Sequence, residues 1–133
     1  MGSFNGGFSS ISSTRLGSLA IAEAVRRVGV PGEQIDEVLM GCVLSAGLGQ
    51  APARQAAIGA GLPQKVGAVT VNKVCGSSLQ TVIMAARAIA LGDAQVIVAG
   101  GMENMTRAPF LLEKARQGYR LGHGELTDSL IKD

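Results

Sequence analysis

Cys75 is the residue of this sequence best placed for covalent chemistry. It lies in the stretch VNKVCGSSLQTV, between a β-branched run and a long apolar segment with helical periodicity. A junction of strand and helix leaves the first N–H groups of the helix unpaired, and the helix dipole adds partial positive charge there. Both effects favour the thiolate, which is the nucleophilic form of cysteine. The same N–H groups could stabilise the oxyanion that forms when a thiolate attacks a carbonyl.

Small residues follow this cysteine. Gly76, Ser77 and Ser78 leave space for a substrate to approach the sulfur. A second interpretation is that Cys75 is simply a small buried residue at a crowded joint between two elements. The residues alone leave both interpretations open.

Three other residues have side chains that could take part in catalysis. Cys42 lies within the apolar run EVLMGCVL and is expected to be buried and inert. His123, the only histidine, lies in the segment LGHGE and is expected to be a solvated loop residue, with a Cys–His pair as the alternative. Glu103 follows a predicted strand, where a hydrogen-bonded turn residue or a catalytic acid would fit. The two cysteines lack metal-ligand spacing, so no metal site is expected.

Alternating helices and strands must position these residues. Periodicity predicts, in chain order, a helix over 14–28, a strand over 37–44, a small helix opened by Pro52, a strand over 68–74, a helix over 76–91 and a strand over 95–99. Such alternation favours parallel strands linked by crossover helices. The helix over 76–91 is apolar nearly all round, which predicts burial on most sides and cover from a larger body than these elements supply. No clear strand is predicted after Arg107.

The composition is that of an α/β protein. The chain has 133 residues, of which 47% are apolar, 3% aromatic and 19 are glycine. The formal charge of +2 is spread without a basic stripe, so nucleic acid is not an expected partner. No apolar run is expected to reach the length of a membrane span, and no signal peptide is recognised. Two cysteines without a disulfide framework favour a reducing, cytosol-like compartment.

Three segments together resemble the thiolase family. They are GCVLSAGLGQAPARQAA at 41–57, VNKVCGSSLQTV at 71–82 and VIVAGGMENMTRAPF at 96–110. The opening GSFNGGF and the later LGHGELTDSLIKD are also similar to thiolases, of the type that forms acetoacetyl-CoA. The resemblance covers essentially the whole chain in unbroken order.

This resemblance implies a fold and a domain organisation. The expected fold is a partial αβαβα thiolase-type domain, with a mostly parallel sheet around a buried helix, truncated at both ends. Residues 1–110 would be a partial amino-terminal domain, and residues 111–133 the start of the loop domain that covers coenzyme A. The expected parent is a homodimer or homotetramer in the cytoplasm, with a mitochondrial or peroxisomal location left open.

The resemblance also implies a reaction. The parent would be an acyltransferase that condenses two acetyl-CoA molecules to acetoacetyl-CoA, or cleaves the product, through an acyl-cysteine. Cys75 matches the nucleophile, and its own backbone N–H would contribute to the oxyanion hole. Gly76 and Ser77 match the supporting turn. The substrate is a coenzyme A thioester, and no bound cofactor or metal is implied. Ser78 stands where the family often has the second glycine of CGSGL.

Other catalytic groups of the family have no counterpart in this sequence. The Asn-containing turn, the GHP histidine and the second cysteine in a CxGGG motif are absent, and His123 matches none of them. The chain is therefore expected to carry the nucleophile without completing the condensation. Two alternatives remain: a condensing enzyme of the ketoacyl-synthase type, or a chain that acts only by associating with full-length subunits, its strand at 68–74 forming the dimer.

Overall fold

A computed structural model describes residues 2–132. Its helices and strands are, in chain order, α1 (Ser13–Val28), β1 (Glu37–Gly41), α2 (Pro52–Gly59), β2 (Gly67–Val71), α3 (Ser77–Leu91), β3 (Ile97–Gly101), β4 (Phe110–Leu111), β5 (Thr127–Asp128) and α4 (Ser129–Lys132). The predicted alternation of helix and strand up to residue 101 is thus confirmed, and the architecture agrees with a partial thiolase-type fold.

The main sheet has three parallel strands in the order β2-β1-β3. Its register pairs Gly41, the last residue of β1, with Val71 of β2 and Gly101 of β3. The carboxyl ends of all three strands therefore meet at one edge, which is where open α/β sheets place their ligand sites. Strands β1 and β2 end earlier than predicted because residues 42–44 and 72–74 leave the sheet to form loops at this edge, whereas β3 begins and ends two residues later than predicted.

The core lies between β1 and the helices α1 and α2. Val38, Leu39 and Met40 of β1 are buried almost completely, and small residues of α2 such as Ala53 and Ala56 allow that helix to pack closely. Helix α1 begins at Ser13, one residue before the predicted start, and its N-cap is Ser12, whose hydroxyl accepts the N–H of Arg15. It ends at Val28 as predicted, and the φ of 73° at its C-cap, Gly29, suits glycine.

Helix α3 packs against the opposite face of the sheet through a narrow stripe. The residues of this helix that are buried are Ser77, Thr81 and Ala85. Thr81 donates a hydrogen bond from Oγ1 to the carbonyl of Gly100, at 3.0 Å. Leu79 and Leu91 are 65% and 78% exposed. The prediction of burial on most sides is therefore wrong for the described residues, because within 2–132 the sheet covers only one side of the helix.

The same stretch also corrects the expectation about membrane spans. By length and composition, Val74–Leu91 meets the criteria for a membrane-crossing helix, with a mean hydropathy of 1.4, and 17% of this stretch is buried. Core helices of soluble proteins meet the same criteria.

A second, small sheet lies beyond residue 107. Strands β4 and β5 pair antiparallel, with Phe110 opposite Asp128 and Leu111 opposite Thr127. The prediction of no strand in this region was wrong because each strand has only two residues, too few for a two-residue periodicity to be seen.

Candidate active site

The five residues between β2 and α3 form a tightly bonded turn. Val74 has a φ of +48°, which is rare for a β-branched residue. Its N–H donates to Asn72 Oδ1 at 3.0 Å, and its carbonyl accepts the N–H of Ser77 at 3.0 Å. The N–H of Gly76 donates to the carbonyl of Lys73 at 3.0 Å. These bonds hold the backbone on both sides of Cys75.

The hydroxyl of Ser77 closes the same turn. It accepts the N–H of Lys73 at 2.8 Å and donates to the carbonyl of Val74 at 2.5 Å. Ser77 is 4% exposed and these bonds are partly buried, which limits the competition from water. The hydroxyl therefore ties the end of β2 to the start of α3.

Cys75 presents a free, exposed thiol immediately before the cap of α3. Gly76 is the N-cap residue, and the helix begins at Ser77. The N–H groups of Val74 and Gly76, on either side of Cys75, donate hydrogen bonds within the turn, whereas the N–H of Cys75 takes part in none of them. The thiol is therefore accessible, which excludes the interpretation of Cys75 as a buried packing residue.

A depression of about 380 Å³ surrounds this thiol at the carboxyl edge of the sheet. It brings together residues that follow or end all three strands; its lining comprises Gly41, Val43, Val74, Cys75, Ser77, Ser78, Gly101, Met102 and Glu103. Of the residues expected to support the site, Ser77 lines the depression and Gly76 does not. Gly76 acts through the backbone, as the cap of the helix.

Glycines at the ends of β1 and β3 allow the sheet to touch the start of α3. A Cβ on Gly41 would lie 2.7 Å from the backbone nitrogen of Ser78 and 2.8 Å from the carbonyl carbon of Ser77. A Cβ on Gly101 would lie 2.9 Å from Ser78 Cβ. This role was not predicted from the sequence. The signal for it was a glycine at the end of each strand, in the segments MGC at 40–42 and AGG at 99–101. These contacts fix the height of the helix start, and of Cys75, above the sheet edge.

Glu103 is the hydrogen-bonded turn residue that the sequence predicts. Its carboxylate accepts the N–H of Val43 at 2.8 Å, the N–H of Leu44 at 3.2 Å and the thiol of Cys42 at 3.7 Å. It thus joins the loop after β1 to the end of β3. Both oxygens are engaged, so the contacts favour a positioning role over that of a catalytic acid.

Cys42 is buried as predicted, with 2% of its surface exposed. Burial, followed by the negative charge of Glu103 and the hydrogen bond to it, raises the pKa of the Cys42 thiol to about 12. The thiolate is therefore scarce at neutral pH, and this cysteine is inert beside the exposed Cys75.

His123 is exposed in a loop, as expected. It lies in a separate depression with Glu113 and Tyr119, and it does not line the depression around Cys75. Within residues 2–132 no group of three or more His, Cys, Asp or Glu side chains is arranged to hold a metal ion.

Comparison with known proteins identifies the family. Residues 1–133 match the family model described as thiolase, N-terminal domain. The chain belongs to the thiolase family. This match confirms the resemblance seen in the three segments and favours it over the ketoacyl-synthase alternative.

Relatives from bacteria and plants share about half of its residues. The chain is 54% identical to an acetyl-CoA acetyltransferase of Escherichia coli and 53% identical to one of Cupriavidus necator, over 100% of this chain and 34% of each relative. It is 54% identical to acetyl-CoA acetyltransferase 2 of Arabidopsis thaliana, over 100% of this chain and 33% of that protein. The chain thus spans about a third of the length of the relatives it matches.

Proposed function

We propose that the protein to which this chain corresponds is an acetyl-CoA C-acetyltransferase and that Cys75 is its acyl-accepting nucleophile. The observation that supports the proposal is the exposed thiol before the cap of α3, in a depression at the sheet edge where α/β proteins bind ligands. Membership of the thiolase family gives this arrangement its reaction class.

The first step is transfer of an acetyl group. The thiolate of Cys75 attacks the carbonyl carbon of acetyl-CoA, and the N–H of Cys75 donates to the developing oxyanion. When the tetrahedral intermediate collapses, the bond from carbon to the coenzyme sulfur breaks. Coenzyme A then leaves as a thiolate and takes up a proton, and an acetyl thioester remains on Cys75. No bound cofactor is needed, since the substrate thioester is already activated.

The second step needs a base for the methyl group of another acetyl-CoA. The resulting carbanion would attack the acetyl-cysteine to give acetoacetyl-CoA and free thiol, and thiolysis is the reverse. Glu103 is the one described residue lining the depression whose side chain carries a carboxylate or an imidazole, the groups that could act as a base. Its oxygens already accept three hydrogen bonds. We therefore assign acyl transfer to this chain and carbanion formation to groups outside it.

Transfer of acetyl from acetyl-CoA to free pantetheine tests this division, because it needs the nucleophile and no carbanion. The chain should catalyse the exchange, Cys75→Ala should abolish it, and Cys42→Ala should retain it. Acetoacetyl-CoA should not form. Exchange that survives in Cys75→Ala would refute the assignment of the nucleophile, and acetoacetyl-CoA made by the chain alone would refute the division of labour.

Further expectations of assembly and location stay proposals. We propose a homodimer or homotetramer for the parent enzyme and a cytoplasmic location; the name of a relative from Gibberella zeae includes the word cytosolic. The division into residues 1–110 and the beginning of a loop domain at 111–133 likewise stays a prediction.

The exposed apolar side chains of α3 support a second candidate, a chain that associates with full-length subunits. Mixing the chain with the full-length Escherichia coli relative tests this candidate. Hetero-oligomers or a loss of activity would support it, and no effect of excess chain would count against it.

A further inference from the structure

Val74 combines an unfavourable backbone conformation with an exposed side chain. Its φ of +48° is one that glycine and asparagine adopt readily and that a β-branched residue seldom does. The side chain is 62% exposed and does not belong to the hydrophobic core. Valine at this position therefore neither favours the observed backbone conformation nor packs in the core.

The side chain does contribute to the depression around Cys75. Val74 and Val43 are the apolar side chains of its lining that stay outside the core, Val74 exposed and Val43 half-buried. Met102 also borders the depression where it follows β3, but it is 6% exposed and its side chain packs in the core beside Gly17 of α1. The N–H of Val43 donates to the carboxylate of Glu103. One apolar wall is thus fixed at the sheet edge by Val43, and Val74 supplies the other from the turn that carries the nucleophile.

We propose that Val74 is a specificity-determining residue whose side chain contacts the alkyl part of the acyl group carried by Cys75. This inference rests on the proposed role of Cys75 as the nucleophile. A short alkyl group loses contact with water when it lies between Val74 and Val43, which favours its retention beside the sulfur. The hydrogen bonds that the N–H of Val74 donates to Asn72 and that its carbonyl accepts from Ser77 hold Val74 in its unfavourable conformation, so that its side chain keeps this place.

Two thiol reagents that differ only in alkyl length test the proposal on the chain itself. Methyl and butyl methanethiosulfonate each react by attack of the Cys75 thiolate on the sulfenyl sulfur. A disulfide to the alkylthio group forms, the sulfur–sulfur bond of the reagent breaks, and methanesulfinate leaves with the electron pair. The ratio of the butyl rate to the methyl rate measures alkyl contact, and it cancels any change in the reactivity of the thiol.

The informative variants are Val74→Asn and Val74→Gly. Both residues adopt a positive φ without strain, so both variants are expected to fold, which circular dichroism verifies. The butyl-to-methyl ratio should fall about fourfold in each, which corresponds to the loss of one methylene's burial. Leu79→Asn is the matched control, because Leu79 is similarly exposed, follows Cys75 by four residues in the sequence and does not line the depression. Its ratio should equal that of the wild type.

Each result decides the matter. A fourfold fall in both Val74 variants with no change in Leu79→Asn supports the proposal. An unchanged ratio in both Val74 variants overturns it, and if Val74→Asn then also changes the oligomeric state in sedimentation, the side chain belongs to an interface. Failure of both reagents to label Cys75 in the wild type, located by peptide mapping, would overturn the proposed nucleophile and this inference with it.

Discussion

Glu103 is predicted to stabilise the sheet edge that carries the site. In Glu103→Ala the N–H groups of Val43 and Leu44 lose their acceptor, as does the thiol of Cys42. Hydrogen bonds to a charged group contribute about 1.5–3 kcal/mol each. The two backbone bonds are only partly buried, so water can replace part of what is lost. We expect the free energy of unfolding to fall by about 2–4 kcal/mol.

Urea denaturation followed by circular dichroism measures this loss. Glu103→Gln keeps one carbonyl oxygen for Val43 and should lose roughly half as much as Glu103→Ala. It also removes a negative charge, so the pKa of Cys42 should fall while staying raised, because burial is the larger cause. The matched control is Glu113→Ala, which removes an exposed ion pair with Lys132 and should cost under about 1 kcal/mol. A loss in Glu103→Ala no greater than in this control would refute the reasoning.

Three further predictions follow from single contacts. Gly41→Ala should lower the free energy of unfolding by about 1–3 kcal/mol and slow the alkylation of Cys75, because the new Cβ meets the backbone of Ser78. Gly100→Ala is the control and should be tolerated, because its Cβ would meet no atom nearer than 3.7 Å. Urea titration and iodoacetamide labelling of the two variants check both expectations. The pKa of Cys42, near 12 in the fold against an ordinary 9.0, makes the unfolded state lose its proton first. Stability should therefore fall by up to about 1.4 kcal/mol per pH unit between these values, and Cys42→Ala should flatten that slope in denaturation at alkaline pH. The N–H groups of Val96 and Gln95 donate to the carboxylate of Asp36 and hold its pKa in the fold below the ordinary 3.8. The ionised carboxylate therefore stabilises the fold fully above pH 3.8, and this contribution is lost as the pH falls through the lowered pKa of the folded state. The melting temperature of Asp36→Ala should accordingly lie below that of the wild type at neutral pH and match it in strong acid.

The parallel sheet and the position of Cys75 could be predicted because both depend on local patterns. Apolar runs bounded by glycines mark the strands, and the change from a β-branched run to helical periodicity marks the turn that holds the thiol. The burial of Cys42 and the bonded role of Glu103 follow in the same way, from an apolar neighbourhood and from the end of a strand.

Features that depend on tertiary contacts could not be predicted. The positive φ of Val74 contradicts the propensity of valine, and the hydrogen bonds of Val74 with Asn72 and Ser77 hold it there. The close approach of Gly41 to the start of α3 joins segments far apart in sequence. The exposure of α3 could not be read from its apolar composition, because composition does not say which neighbours are present.

Intact mass spectrometry after incubation with acetyl-CoA tests the central claim most directly. Wild-type chain and Cys42→Ala should each gain a single acetyl group that hydroxylamine removes, and Cys75→Ala should gain none. The same samples should show folded circular dichroism spectra. An acetyl group that persists in Cys75→Ala, or a folded wild-type chain that gains none, would contradict the account of Cys75 as a nucleophile prepared by the turn between β2 and α3.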